Sequence, residues 1–266
     1  MRLLGRRGGA RPADGGGAPA PDGPLYVIGD VHGNSGLLRA LLRRLDAHWR
    51  ESGEPEGTSL VMLGNYVDRG SSSARVLQDV RRLAAVAPGK AVCLMGSHEK
   101  MLLDFLDDPV RRGPRWLRNG GRATLRSFGH HAPLSEQAGE AEFREAAETL
   151  RSGLGDLEIW LRDLPLAWRS GNVVATHAGA DPDQPIEKQN ERALLWGHPE
   201  FEKRARGDGL WVIRGHIPVA KPKIAKGRIS IDTGAGYGGP LTAASIRHDR
   251  PVEFIEVSVR KKAKPA

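Results

Sequence analysis

The sequence predicts an α/β protein in which a parallel sheet is covered by helices and followed by a region of short strands. Two patterns carry this expectation. Three times in the first half, a short apolar run leads into a glycine-flanked polar segment and then into apolar residues at helical spacing. Beyond about residue 163 the helical spacing gives way to short apolar runs separated by turn residues. Strand and helix alternating in this order favour parallel strands joined by helical crossovers.

The leading segment, residues 1–24, is rich in Gly, Pro, Ala and Arg and holds almost no large apolar side chain. Such a composition buries too little surface to offset its ordering entropy, so a disordered tail is expected. The folded domain is expected over 25–259, opening with a strand at 25–28. Leu37, Leu38, Leu41, Leu42 and Leu45 then recur on one helical face to about Trp49, with Asn34 or Ser35 as the cap. A second strand over 59–63 leads to Ala74, Val76, Leu77, Val80, Leu83 and Ala84, again helical. A third over 91–95 leads to Met101, Leu102, Phe105 and Leu106. The middle, about 109–163, reads as a helical insertion over the crevice, including helices near 140–150 and 156–162. Six short strands follow at 166–169, 173–176, 210–214, 228–232, 242–247 and 252–259, with turns at Gly171-Asn172, 234–240 and 249–251. A basic tail closes the chain over 260–266.

At 266 residues with 39% hydrophobic and 27% charged side chains, the chain has an ordinary globular composition and can bury a substantial core. Its formal charge of +8 equals the number of basic residues in the two tails: Arg2, Arg6, Arg7, Arg11, Arg260, Lys261, Lys262 and Lys264. The excess therefore reads as solubilising ends. Aromatics are only 5% and are not interleaved with basic residues, so no specific nucleic-acid partner is expected. Cys93 is the single cysteine, lies in an apolar run and excludes an intramolecular disulfide. No run approaches the roughly 20 apolar residues of a membrane span, and the start lacks the apolar core of a signal peptide. A cytoplasmic location is the expectation.

The three glycine-flanked segments are Gly29-Asp30-Val31-His32-Gly33, Gly64-Asn65-Tyr66-Val67-Asp68-Arg69-Gly70 and Gly96-Ser97-His98-Glu99. Two more histidines stand at strand ends: His177 after Val173 to Thr176, and His216 after Trp211 to Gly215. Ligands of open α/β sheets bind beyond the carboxyl ends of the strands, so these five segments are expected to converge on one crevice. One histidine after a strand is ordinarily a structural residue. Five metal-capable segments of the same design point instead to a divalent cation and a phosphate.

This ordered pattern resembles the calcineurin-like metallophosphoesterases, in particular the bacterial branch of the phosphoprotein phosphatases, with their GDxHG, GDxVDRG, GNHE, strand-His and GH segments. The segments at 116–121 and at Leu194-Leu195-Trp196 are also similar to segments between the family's motifs. The resemblance implies an αββα sandwich of two mixed sheets flanked by helices, with the helical insertion over the active-site crevice. It implies two divalent metals: Asp30 and His32 on the first, His177 and His216 on the second, position 65 bridging and position 97 completing the second. His98 would be the general acid, oriented by Asp68, and Arg69 would bind phosphate. A carboxylate beside His98 would raise its pKa for acid work. Manganese is the first expectation for oxygen and imidazole ligands in an open site, with iron, zinc or magnesium also compatible.

Three departures qualify the resemblance. Asn65 stands where the family has a bridging Asp, and a neutral amide is a weaker ligand than a shared carboxylate. Ser97 replaces an Asn, exchanging an amide carbonyl for a shorter hydroxyl. After Trp196, where the relatives tend to carry a phosphate-binding arginine, Gly197-His198-Pro199 follow, leaving Arg204 or Arg206 as substitutes. The expected function is hydrolysis of phosphomonoesters, on a phosphorylated protein or a small phosphate ester, weakened by Asn65 and Ser97. The alternative is a pseudophosphatase that binds a phosphorylated partner without turnover.

Overall fold

The computed structural model describes residues 3–4, 17–53 and 55–258. The basic tail at 260–266 and most of the leading segment lie outside the described residues. In chain order the strands and helices are β1 (Leu3–Leu4), β2 (Leu25–Ile28), α1 (Ser35–Glu51), β3 (Ser59–Met62), α2 (Ser73–Val86), β4 (Ala91–Cys93) and α3 (Ser97–Asp107). The helical insertion follows as α4 (Pro109–Arg118), α5 (Gly121–Ser127), α6 (Glu140–Leu154) and α7 (Asp156–Arg162). The second half comprises β5 (Ala167–Ser170), β6 (Val173–Thr176), α8 (Glu191–Trp196), β7 (Trp211–Arg214), β8 (Lys223–Ala225), β9 (Arg228–Ser230), β10 (Leu241–Arg247) and β11 (Arg250–Val257).

The strands form two mixed sheets. One has the order β11-β10-β2-β3-β4, with β2, β3 and β4 parallel and β10 antiparallel to β2. The other has the order β1-β5-β6-β7-β9-β8, with β6, β7 and β9 parallel. Alternation along β2 shows how the layers stack, since successive strand residues point to opposite faces. Leu25 and Val27 join Val61, Leu63, Trp168, Ala175, Ile213 and Ile229 in a core between the sheets. Tyr26 and Ile28 face the other way, onto Leu38, Leu41, Val76 and Leu77 of α1 and α2. On the far side of the second sheet, Val174 and Val212 pack with Ile186, Leu194 and Phe201. Helix, sheet, sheet and helix layers follow in that order, the αββα sandwich expected.

The described part of the leading segment departs from the disordered tail expected. β1 pairs in parallel with β5. Residues 17–24 lie against the β5–β6 hairpin and β7: Trp211 Nε1 donates to the Gly17 carbonyl at 2.8 Å, and the Asp22 carboxylate accepts from the Gly171 N–H at 2.9 Å. The segment is held by hydrogen bonds to partners roughly 150 residues away, a source of order that apolar content does not reveal.

Candidate active site at the carboxyl ends of six strands

The loops leaving β2, β3 and β4 in one sheet, and β6, β7 and β9 in the other, deliver Asp30 and His32; Asn65, Asp68 and Arg69; Ser97 and His98; His177; His216; and Asp232. All nine residues expected from the sequence lie in this one cluster, linked by hydrogen bonds, by the 3.9 Å approach of His32 to Asp30 and by the edgewise contact of the His32 and His98 rings. Six non-glycine residues among those described have positive φ, and five of them are His32, Asn65, Asp68, Arg69 and His216, at +47°, +52°, +72°, +69° and +67°. Left-handed backbone costs a side-chain-bearing residue on the order of 1–2 kcal/mol, so its concentration here marks a site whose geometry the surrounding fold enforces. Close approach does the rest. A Cβ on Gly215 would lie 2.0 Å from Asp30 Oδ1, and one on Gly96 would lie 2.2 Å from the Asn65 nitrogen.

Asn65 is the strut of the cluster. Its Oδ1 accepts from the His98 backbone N–H at 2.9 Å, which fixes the orientation of the amide, since an NH₂ could not accept there. Its Nδ2 therefore donates to Asp30 Oδ2, at 2.8 Å. Asp30 also accepts from the His216 N–H at 3.2 Å. Ser97 Oγ lies 3.4 Å from Asn65 Oδ1, 3.2 Å from His177 Nε2 and 3.3 Å from His216 Nδ1. The hydroxyl thus sits where three potential ligand atoms converge.

The tautomers of two imidazoles follow from their partners, because a carbonyl can only accept. His32 Nδ1 donates to the Val67 carbonyl and His177 Nδ1 to the Leu63 carbonyl, both at 2.9 Å. Each therefore keeps a lone pair on Nε2. Burial and neighbouring positive groups push His32 and His177 well below the usual histidine range, and push His216 down to about 4. All three are neutral near pH 7, as metal ligands must be. Burial, followed by the charge of Asp232, raises Asp30 well above the usual carboxylate range.

The second part of the site is a dyad. His98 Nδ1 and Asp68 Oδ2 lie 2.6 Å apart, both buried. Asp68 also accepts from Trp116 Nε1 at 2.9 Å and Thr124 Oγ1 at 2.6 Å, so the insertion helices α4 and α5 lock its carboxylate. Here the structure corrects an expectation. His98 is lowered to about 3, first by burial and then by Arg69, while burial raises Asp68 to about 7. Burial thus outweighs the pull of the carboxylate and lowers the proton affinity of the ring. His98 is instead a neutral ring with Nδ1–H directed to Asp68. Arg69 Nη1 donates to His32 Nε2 at 2.9 Å, and the Tyr237 ring covers its guanidinium at 4.3 Å.

Sequence reasoning assigned no role to Glu99, Trp116, Thr124 or Tyr237. Glu99 accepts from the backbone N–H groups of Gly96, Asn65, Tyr66 and Val67 at 2.9, 2.7, 2.8 and 3.2 Å. It thereby clamps the second motif onto the third. Its place beside His98 was the one signal available. The substitutes named for the missing arginine carry ion pairs of their own: Arg204 with Asp183 and Glu200, and Arg206 with Asp208. His198 lies 3.8 Å from the Asp181 carboxylate.

A sequence profile describing the calcineurin-like phosphoesterases matches residues 23–220. The chain belongs to this family. It is 29% identical to an asymmetrical bis(5'-nucleosyl)-tetraphosphatase, PrpE, of Anoxybacillus flavithermus, over 82% of this chain and 88% of that one. It is 27% identical to serine/threonine-protein phosphatase 1 of Salmonella typhimurium, over 84% and 92%. Among solved structures, a candidate diadenosine tetraphosphatase superposes with a TM-score of 0.60 at 22% identity, covering 90% of this chain and 95% of that one, a likeness of fold.

Members of this family are metal-dependent hydrolases of phosphoesters, and divalent cations are implied for the cluster. The residues fit them in part. Asp30 Oδ2 and His32 Nε2 stand 3.9 Å apart, and His177 Nε2 and His216 Nδ1 converge on Ser97, so each half offers two donors of suitable chemistry. Among the described residues, however, no three His, Cys, Asp or Glu side chains form one metal-holding group. The shared anionic bridge is the missing piece. An amide hydrogen faces Asp30 at the place where two cations would need a carboxylate oxygen.

Proposed function

We propose that this chain hydrolyses phosphomonoesters, borne by a phosphorylated protein or a small molecule, with turnover reduced by Asn65 and Ser97. One observation carries the reading: the buried His98–Asp68 dyad, locked by Trp116 and Thr124 and opening beside Arg69. Packing alone does not require a buried carboxylate with three side-chain donors within a strained loop cluster.

Bound divalent cations, for which manganese is the first choice, would polarise the phosphoryl oxygens and lower the pKa of an attacking water. Asp30 and His32 would hold the first; His177, His216 and the oxygens of Asn65 and Ser97 the second. Arg69 carries in-plane N–H donors, a fork suited to phosphate oxygens, and the one directed to His32 Nε2 would turn to phosphate when that lone pair takes a cation. His98 exchanges its proton through Nε2, because Nδ1 is committed to Asp68. Its proton arrives with the substrate: the negative charge of a phosphate group offsets the burial and the Arg69 charge that otherwise keep the imidazole neutral. Asp68 then holds the ring in line and stabilises the imidazolium until the leaving alkoxide takes the proton.

The two groups of relatives act on different substrates, and a phosphoprotein or a nucleotide polyphosphate both meet the requirements of Arg69 and His98. The Asn65–Asp30 hydrogen bond favours a second reading, a phosphate-binding protein with no turnover. Hydrolysis of p-nitrophenyl phosphate with added Mn²⁺ separates them. Slow turnover that rises about 10²-fold in the Asn65→Asp, Ser97→Asn double variant is expected. Turnover absent from the native chain and present in the double variant would establish the binding reading instead. No helix among the described residues is long and apolar enough to cross a membrane, and the cytoplasmic location belongs to the same proposal.

A further inference from the structure

A second guanidinium stands at the other end of the histidine cluster from Arg69. Arg115, on α4, lies over the face of Trp196, with its guanidinium carbon 4.8 Å from the ring centroid. Trp196 in turn presents its ring edgewise to His216, centroids 6.0 Å apart. His32 carries Arg69 and Tyr237 on one side; His216 carries Trp196 and Arg115 on the other. Two arginine–aromatic pairs thus flank the histidine cluster.

Both members of the outer pair are tied to the site. Arg115 adjoins Trp116, which is fully buried and bonded to Asp68, so α4 cannot shift without disturbing the dyad. Trp196 ends α8, whose Leu194 carbonyl accepts the Ala178 N–H at 2.8 Å, immediately after His177. Arg115 is itself exposed. Its neighbours Arg118 and Arg122 pair with Glu136, and Arg151 pairs with Glu158. Among the described residues Arg115 has no carboxylate partner, and its guanidinium rests on the indole. A stacked guanidinium uses its face and keeps its in-plane donors free, which is the arrangement that receives a phosphate edge-on.

We infer that Arg115, seated on Trp196, binds a second phosphoryl group of the substrate, next to the one held by Arg69. The inference rests on the hydrolase reading only for its first phosphate and names the substrate class: phosphoanhydride chains, or esters carrying a second phosphate nearby, are preferred over simple monoesters. Arg115 is a specificity residue, and His98 and Asp68 do not depend on it.

Isothermal titration of inorganic tripolyphosphate and orthophosphate in excess Mg²⁺ tests this without requiring turnover. The wild-type chain is expected to bind tripolyphosphate at least about tenfold more tightly than orthophosphate, as one added charge-assisted contact allows. In Arg115→Gln that ratio should fall to near one, while Arg112→Gln, which removes the same charge from the same helix, should leave it. An unchanged ratio in Arg115→Gln, or an equal fall in Arg112→Gln, would overturn the inference, the latter by showing diffuse attraction alone. The hydrolase reading is scored separately by p-nitrophenyl phosphate turnover. A silent chain with an Arg115-dependent ratio refutes that reading and keeps the subsite; a turning-over chain with an indifferent ratio does the reverse.

Discussion

Replacing Asn65 by aspartate exchanges one NH₂ for an oxygen of nearly the same size, so its effect is electrostatic. In the native chain Nδ2 donates to Asp30 Oδ2 across 2.8 Å, with Asp30 and Asn65 only 1% and 2% exposed. Asn65→Asp places two carboxylate oxygens at that separation with no proton between them. At an effective dielectric constant of about 20 their repulsion is about 6 kcal/mol, an upper value. Uptake of one proton by the pair limits the cost, leaving about 2–4 kcal/mol near pH 8 once the lost hydrogen bond is included. For a chain of this size that corresponds to a fall in Tm of about 5–15 °C. A divalent cation between the oxygens reverses the sign, because the shared anionic bridge then exists. The assay is thermal unfolding of both proteins at pH 8, with a chelator and with Mn²⁺. The variant should melt well below the native chain in chelator and recover in Mn²⁺, while the native chain responds much less. Equal stability in chelator, or equal Mn²⁺ shifts in both, would refute the view that the amide hydrogen stands in for positive charge at this point.

His98→Asn is expected to slow an alkyl phosphate about 10²–10⁴-fold, the range for a lost general acid, and p-nitrophenyl phosphate much less, since nitrophenolate leaves without a proton; equal losses on both would remove the acid role. Glu99→Gln turns an acceptor of four backbone N–H groups partly into a donor facing them. It should cost about 2–4 kcal/mol by urea unfolding, and near-native stability would show that the clamp is dispensable. The pH dependence of the chelated chain follows from Asp68 and Glu99, both raised to about 7 by burial. Their native-state proton binding contributes stability that is complete below the unfolded carboxylate range and is lost as pH rises through about 7. The buried imidazoles act in the opposite sense, but below the pKa of a free histidine, about 6.5. Stability should therefore decline by about 1 kcal/mol between pH 7 and 8.5; a rise over that interval would contradict the assignment.

The sandwich was legible because its strands are short apolar runs ended by glycine and its helices show one apolar face. The site was legible for a related reason: its ligating residues stand directly after those runs, where parallel strands must release them. Local signals failed elsewhere. β8 has two exposed residues of three and offers no alternation to read. α8 has only six residues and depends on Asn190, whose side chain accepts from the Ala193 N–H. The segment at 17–24 is ordered by partners in the hairpin that follows the insertion. The pKa of His98 was misjudged because adjacency to Asp68 follows from a motif, whereas enclosure by α4 and the approach of Arg69 belong to the tertiary fold. Glu99 was overlooked for the same reason: three of its four partners lie 32–34 residues upstream.

The strained backbone gives the deeper reason to treat Asn65 as a change of charge and not of shape. Asn65, Asp68 and Arg69 all keep left-handed φ, each at a cost on the order of 1–3 kcal/mol that only a restraining fold sustains. Glu99 supplies that restraint by gripping the N–H groups of residues 65, 66 and 67. The loop is thus built to present the side chain at position 65 between Asp30 and the start of α3, whether that side chain is an amide or a carboxylate. With the amide, the side chains of the cluster satisfy one another: Asp30 has its donors, and Asn65 Oδ1 and Ser97 have their partners. A carboxylate at the same point would leave two buried anions facing one another and would make cation binding the means of relieving them. The native sequence has removed that demand while retaining the loop, the dyad and Arg69. Its chemistry is accordingly set by how tightly cations bind to a site that no longer needs them to hold its shape.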